Sequence, residues 1–163
     1  NKFARTGSTS NWVAPGGVVS GTTCISSTPA DALNFDGADD KVVVTNSSVD
    51  LANSSFTVEM WLKRSTPGTY DIAFSQGENA VANQVLHIGF RDNNNFTFAF
   101  YDNDLNVSGL SDANWHNWAC TFDNISKARS IYRYGVLVGQ AISVGVAKFI
   151  GPGSPKFGIG IVS

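Results

Sequence analysis

The chain has 163 residues, 42% hydrophobic and 12% aromatic, which is enough for one domain with a packed core and too short for two ordinary ones. Charged residues make up 15%, well under the usual quarter, and the net charge is −2. No basic run supplies the phosphate-neutralising contacts that dominate nucleic-acid binding, and no apolar run approaches the ~18 residues of a membrane span.

Residues 1–31 are rich in Gly, Ser and Thr and show little periodicity. They read as a loosely structured lead-in with at most one short strand. Its first residues, Asn1-Lys2-Phe3-Ala4-Arg5, lack a starting Met and a signal-type apolar stretch, so the chain reads as processed or as a piece of something longer. From Ala32 the pattern turns to strands. Val42-Val43-Val44 has no alternation and suits a strand buried on both sides. Phe56, Val58, Met60 and Leu62 alternate with Thr57, Glu59, Trp61 and Lys63, the period of two of a half-buried strand.

Leu86, Ile88 and Phe90 alternate with His87, Gly89 and Arg91, and Phe96, Phe98 and Phe100 alternate with Thr97, Ala99 and Tyr101. Between them Asp92-Asn93-Asn94-Asn95 suits a hairpin turn. His116, Trp118, Cys120 and Phe122 share one phase of the next strand. Ile131–Tyr134 and Val136–Val138 flank Gly135 as a tight hairpin, and a last strand is expected within Lys156–Val162. No helical period of useful length occurs. Strands separated by turn signals point to an all-β antiparallel sandwich or barrel.

Four stretches resemble laminin-G-like jelly rolls of the concanavalin A-like type. Ala32-Leu33-Asn34-Phe35-Asp36-Gly37-Ala38-Asp39-Asp40-Lys41-Val42 is similar to the opening "ALxFDGxxDxV", and Phe56-Thr57-Val58-Glu59-Met60-Trp61-Leu62-Lys63 to "FTxExWxK". Trp115-His116-Asn117-Trp118-Ala119-Cys120-Thr121-Phe122-Asp123 is similar to "WHHxAxTxD", and Ile131–Val138 to the "xYxxGxLV" hairpin. Their order and spacing also match. The resemblance implies a two-sheet antiparallel β-sandwich over 32–163, a fold that hosts lectins, adhesins, enzymes and structural modules.

The departures are specific. Tyr134 stands where the family carries Asp or Asn before the hairpin Gly, which leaves the turn type open. Glu59 and Ala119 occupy the positions of the pentraxin disulfide. The family's closing strand has no counterpart before Ser163, so terminal strands are expected to come from flanking sequence or from a neighbouring chain.

Asp36, Asp39 and Asp40 fall within five residues. They read either as a calcium site, which the resemblance favours, or as an Asp-Gly turn with solvated carboxylates. Asp102 and Asp104 with Asn103 form a second, weaker acidic loop. Trp61 sits out of phase with the apolar side of its strand, so it either stacks on a sugar ring or packs under a loop. Tyr70, Tyr101 and Trp12 are further aromatic candidates. Cys24 and Cys120 either form one disulfide or remain thiols. Sequons for N-glycosylation occur at Asn46, Asn53, Asn95, Asn106 and Asn124, not far above chance for a chain with 15 Asn.

His87 and His116 lack a second ligand at metal spacing. Glycoside hydrolysis needs a pair of carboxyl groups across the bond. The laminarinase-type relatives carry "ExDxxE", whereas this chain has only Glu59 and Glu78, outside that pattern. The expectation is therefore a non-catalytic extracellular or cell-surface module that binds glycan or a surface protein, with calcium assisting. The alternative is a structural domain of a filament, adhesin stalk or virion completed by neighbouring chains.

Overall fold

The computed structural model describes residues 4–5, 12–13, 18–20, 23–27, 30–37, 39–44, 50–52, 54–77, 82–108, 110–142 and 157–160, with side chains from Ala32 onward. All regular elements among them are strands. They are β1 (Ala4–Arg5), β2 (Trp12–Val13), β3 (Val18–Ser20), β4 (Thr23–Ser27), β5 (Ala30–Asn34), β6 (Lys41–Val44), β7 (Phe56–Leu62) and β8 (Asp71–Gln76). There follow β9 (Leu86–Phe90), β10 (Phe96–Phe100), β11 (Asp104–Val107), β12 (His116–Phe122), β13 (Ala128–Arg133), β14 (Val136–Ile142) and β15 (Phe157–Ile159).

Two antiparallel sheets pack face to face. One has seven strands in the order β11-β10-β9-β8-β15-β6-β3, and the other has four, β14-β13-β12-β7. Strands β1-β2 and β4-β5 form separate hairpins. The sandwich expected from the alternation is the fold observed. The lead-in holds more strand than its composition announces: it carries β1 to β4, and β3 extends the large sheet beside β6. These strands are two to five residues of Gly/Ser/Thr-rich chain, too short to show a period. The boundary expected at Ala32 falls inside the β4–β5 hairpin, where Ile25 faces Ala32. Of the valines expected to be buried on both sides, Val42 is buried while Val43 and Val44 are half-buried.

The core lies between the sheets and is largely aromatic. Phe90, Phe96, Phe98 and Phe100 face inward from the large sheet, and Trp118, Cys120, Phe122 and Ile131 face them from the small one. The Phe96 ring stacks on the Trp118 indole at 4.0 Å between centroids and 9° between planes. Phe90 meets both edge-on, at 5.2 and 6.0 Å. Phe100 meets Phe122 at 5.1 Å, and Phe56 bridges Phe98 and Phe122. Such pairs add about 0.5–1.5 kcal/mol each beyond the area they bury.

Two buried arginines fix the rims. Arg64 donates to Asp71 Oδ2 (3.0 Å), Asn94 Oδ1 (2.9 Å) and the Thr69 carbonyl (2.9 Å), with its guanidinium 4.5 Å above the Phe90 ring. It thereby ties the loop before β8 to the β9–β10 turn. Arg129, on β13, reaches across the sandwich to the β10–β11 turn. It donates to the carbonyls of Phe98 (3.1 Å) and Asn103 (2.6 Å) and to Asn103 Oδ1 (2.7 Å). Burial lowers the pKa of Arg129, and the Asp104 charge opposes that shift.

Strands β9 and β10 are buried on both faces. His87 therefore lies buried on the side of the large sheet away from the core, in line with Ala99 and Asp104. Burial and then the Arg91 charge push its pKa below the ordinary 6.5, while Asp104 opposes them.

Two outcomes are expected. Phe96→Ala, which empties the stack on Trp118, should lower unfolding stability by about 3–5 kcal/mol in urea denaturation. A loss under about 1 kcal/mol would mean the stack is not a central contact. Because the folded state disfavours protonated His87, the unfolded chain takes up that proton first as pH falls through 6.5. Urea midpoints should drop between pH 7.5 and 5.5, and His87→Gln should flatten that drop. An unchanged wild-type midpoint over this range would refute the assignment.

Candidate functional site

The small sheet turns its second face to solvent. Along β7, Phe56, Val58, Met60 and Leu62 are half-buried, while Thr57, Glu59 and Trp61 are exposed, as the alternation requires. Register carries this face across the sheet. Trp61 lies opposite Asn117, Glu59 opposite Ala119 and Thr57 opposite Thr121. Ala119 lies opposite Tyr132 and Thr121 opposite Ser130. Tyr132 in turn faces Leu137, and Ser130 faces Gln140.

At one end of the face stands an aromatic corner. Trp61 is 58% exposed and meets Tyr134, itself 52% exposed, edge-on at 5.8 Å and 67°. Tyr134 is the residue that departs from the family pattern. It takes the left-handed position itself, with φ 52° followed by Gly135 at 75°. Two consecutive positive φ values between Arg133 and Val136 make the two-residue turn of the primed type, which matches the twist of a hairpin. A non-Gly residue there costs about 1 kcal/mol.

Several contacts hold Tyr134 in place. Its hydroxyl donates to the Trp115 carbonyl (2.9 Å) and lies 2.9 Å from His116 Nδ1, and its amide donates to the Asn117 carbonyl (3.1 Å). The far side of the imidazole, Nε2, is 2.7 Å from Asp112 Oδ1. That bond, followed by the Asn114 amide, holds the Asp112 carboxyl below the usual carboxylate range. Glu59 accepts a hydrogen bond from Asn117 Nδ2 at 3.1 Å, which fixes a carboxylate and an amide beside the corner.

At the other end of the face is a shallow, open groove of about 440 Å³, lined by Ser55, Thr57, Thr121, Asp123, Ala128 and Ser130 with Phe56 and Phe122 beneath. Gln140 Nε2 donates to Ser130 Oγ (3.1 Å). The amides of Ile125 and Ser126 hold the Asp123 carboxyl below its usual range.

The acidic loop after β5 gathers as its spacing suggests. Asp36, Asp39 and Asp40 each offer an oxygen within 4.8 Å of the others. Asp40 Oδ2 accepts from the Asp36 amide (3.2 Å) and Asp36 Oδ1 from the Asp39 amide (3.4 Å), around Gly37 at φ 81°. Hard carboxylate oxygens on an exposed turn fit calcium, with carbonyls and water completing the six to eight ligands it takes.

The second acidic loop does not gather in this way. Asp104 pairs with Arg91 Nη2 at 2.7 Å, and Asn103 holds Arg129.

Tyr70 and Tyr101 have other partners. Tyr70 accepts from Arg91 Nη1 (3.0 Å) and has that guanidinium 5.1 Å over its ring, so one stacking face is already covered. Tyr101 is half-buried in the β10–β11 turn at φ 36°, 6.3 Å from His87. The partner Trp61 does have is Tyr134, which the sequence marked only as an unusual residue before the hairpin Gly135 and not as a neighbour of Trp61.

Cys120 is a buried free thiol whose pKa burial raises, and the side chain of Cys24 lies outside the described residues. Among the sequons, Asn106 is exposed, and Asn95 and Asn124 are half-buried. Asn46 and Asn53 lie outside the described residues, as do Glu78 and the side chain of Trp12.

Comparison with known proteins agrees with this architecture. The laminin-G-type family profile described as the concanavalin A-like lectin/glucanases superfamily matches residues 36–160. Among solved structures, the chain is similar to domain 4 of AbnA, a GH43 extracellular arabinanase from Geobacillus stearothermophilus, determined in complex with arabinotriose. The TM-score is 0.62 at 14% identity, over 86% of this chain and 66% of that one, a likeness of fold. No curated protein sequence matches. A sandwich of this topology, matched over residues 36–160 by that profile, belongs to the concanavalin A-like lectin/glucanase superfamily, whose members include both enzymes and lectins.

Proposed function

We propose that this domain is a non-catalytic glycan-binding module that works outside the cell. The observation that carries the reading is Trp61, 58% exposed on an ordered strand and braced by Tyr134. An indole that stays in water costs the fold apolar burial, and its face is suited to the apolar side of a sugar ring. The solved relative bound to arabinotriose supports a carbohydrate partner.

The spacing of the acids supports a role without catalysis. Asp112 near the corner is engaged by His116 and the Asn114 amide, while Glu59 and Asp123 stand on the solvent face, Asp123 following the strand end opposite Phe56. Three to four residues of strand separate their rows, about 10–14 Å at ~3.4 Å per residue, beyond the ~5–9.5 Å that glycosidase pairs use.

Calcium at Asp36, Asp39 and Asp40 is the second part of this reading, supported by three oxygens within 4.8 Å. The ion would brace the loop between β5 and β6.

Glycan-array screening followed by calorimetry tests the reading. Binding should occur, and Trp61→Ala should weaken it at least tenfold with an unchanged melting temperature. A folded chain that binds no glycan, with or without calcium, would overturn it. Calcium should raise the melting temperature, a chelator should reverse the rise, and Asp39→Asn should abolish it. No shift on calcium addition would remove the metal from the reading.

A second reading is a structural domain completed by neighbouring chains. The exposure of Val136, Leu137, Val138 and Ile142 on β14 favours it, because β14 is an edge of the small sheet among the described strands. Sedimentation of the intact chain separates the two: a monomer at micromolar concentration excludes self-assembly through this edge.

A further inference from the structure

We infer that the solvent face of the small sheet, from the Trp61–Tyr134 corner to the Thr57–Thr121–Ser130 groove, takes a linear, uncharged glycan about three rings long. This rests on the glycan-binding reading above and adds the place, length and charge of the ligand.

Length follows from the strand. Trp61 and Thr57 are four residues apart on β7, so the corner and the groove are about 14 Å apart at ~3.4 Å per residue, roughly three sugar rings. The surface between them is Glu59, Ala119, Tyr132 and Leu137, set by register to one side of the sheet. A chain lying along β7 would meet an aromatic face first, then the Glu59–Asn117 pair, then hydroxyls.

The charge of the ligand follows from the side chains the face lacks and those it has. Neither the outward-facing residues between corner and groove nor the groove lining includes a Lys or Arg, and they include the acids Glu59 and Asp123. Asp123 is fully exposed and stays ionised at neutral pH. Beyond this track, exposed Lys63 follows Trp61 past the corner, and Lys127 is engaged by Asn124 Oδ1 and the Asp123 charge. Along the track itself a uronic-acid or sulfated polymer would meet two like charges, a repulsion that selects against it. Hydroxyl and amide groups such as Thr57, Thr121, Gln140 and Asn117 match the alternating donors and acceptors of neutral sugars.

Preorganisation supports the corner as the anchor. The left-handed strain at Tyr134 is held by hydrogen bonds to Trp115 and Asn117 and by the His116–Asp112 pair. A platform fixed before the ligand arrives loses little side-chain freedom on binding.

The test is calorimetry of the intact chain against arabino-, xylo- and cello-oligosaccharides of two to six residues and oligogalacturonides of equal length. Among neutral binders, affinity should rise to three rings and then level off, and oligogalacturonides should bind at least tenfold more weakly. Thr121→Arg, checked for an unchanged melting temperature, should remove the gain between two and three rings, leave disaccharide affinity within twofold, and strengthen oligogalacturonide binding. Trp61→Ala should weaken every length.

Equal binding of charged and neutral oligomers, or no gain in affinity from two rings to three, would overturn the inference while leaving a glycan module in place. Glycan binding unaffected by both variants would move the site off this face. If no oligosaccharide binds and Trp61→Ala instead abolishes self-association in sedimentation, the face is a contact between copies and both readings fall.

Discussion

The stack of Phe96 on Trp118 is the contact on which the rest of the molecule depends. One ring belongs to each sheet, and their planes are nearly parallel at van der Waals distance. Around them Phe90, Phe98, Phe100, Phe122 and Phe56 close a continuous aromatic layer. A strand has only two faces, so committing Trp118, Cys120 and Phe122 to this layer commits their neighbours to the opposite face, where Asn117, Ala119 and Thr121 are half-buried. The same parity that turns Met60 toward the core exposes Trp61. A slip of one residue between β7 and β12 would exchange the two tryptophan-bearing faces, placing the corner in the core. The proposed glycan surface is in this sense the reverse side of the core.

The rims are held by charge used sparingly. Arg64 and Arg129 satisfy most of their donors with carbonyls, amides and one carboxylate, and both lie over Phe rings. A guanidinium can be buried in this way because its planar fork meets several acceptors at once and its face tolerates an aromatic ring. Each arginine joins a turn to a strand it does not adjoin in sequence. With few charged residues in the chain, Arg64 and Arg129 spend their charge inside the molecule, where it fastens loops. The solvent face of the small sheet is left to hydroxyls, amides, aromatic rings and the carboxylates of Glu59 and Asp123.

The parts of this arrangement that were legible in the sequence are those with a clean period. Strands β7, β9, β10 and β12 announced themselves because inward and outward residues alternate without interruption. The turn at Asp92–Asn95 was readable from its Asn/Asp content, and Asn94 does take φ 66°. Strand β8 was hidden because a register shift between Ile72 and Phe74 breaks its alternation. Strand β11 reads Asp-Leu-Asn-Val, which looks like loop until its pairing with β10 is known. For the site, phase alone marked Trp61 as outward. Its partnership with Tyr134 depends on a hairpin that folds β13 and β14 back beside β12, and no local pattern encodes that proximity. The acidic loop was legible because three carboxylates within five residues have little room to separate.

Cys120 sits in the middle of the aromatic layer with its thiol free, and burial suppresses the thiolate that would react with electrophiles. It therefore acts as a built-in chemical clock. Alkylation by a small maleimide at this sulfur can proceed only when the two sheets part, so its rate reports how often the sandwich opens. A carbohydrate bound on the opposite side of β12 would slow that modification without ever touching the sulfur.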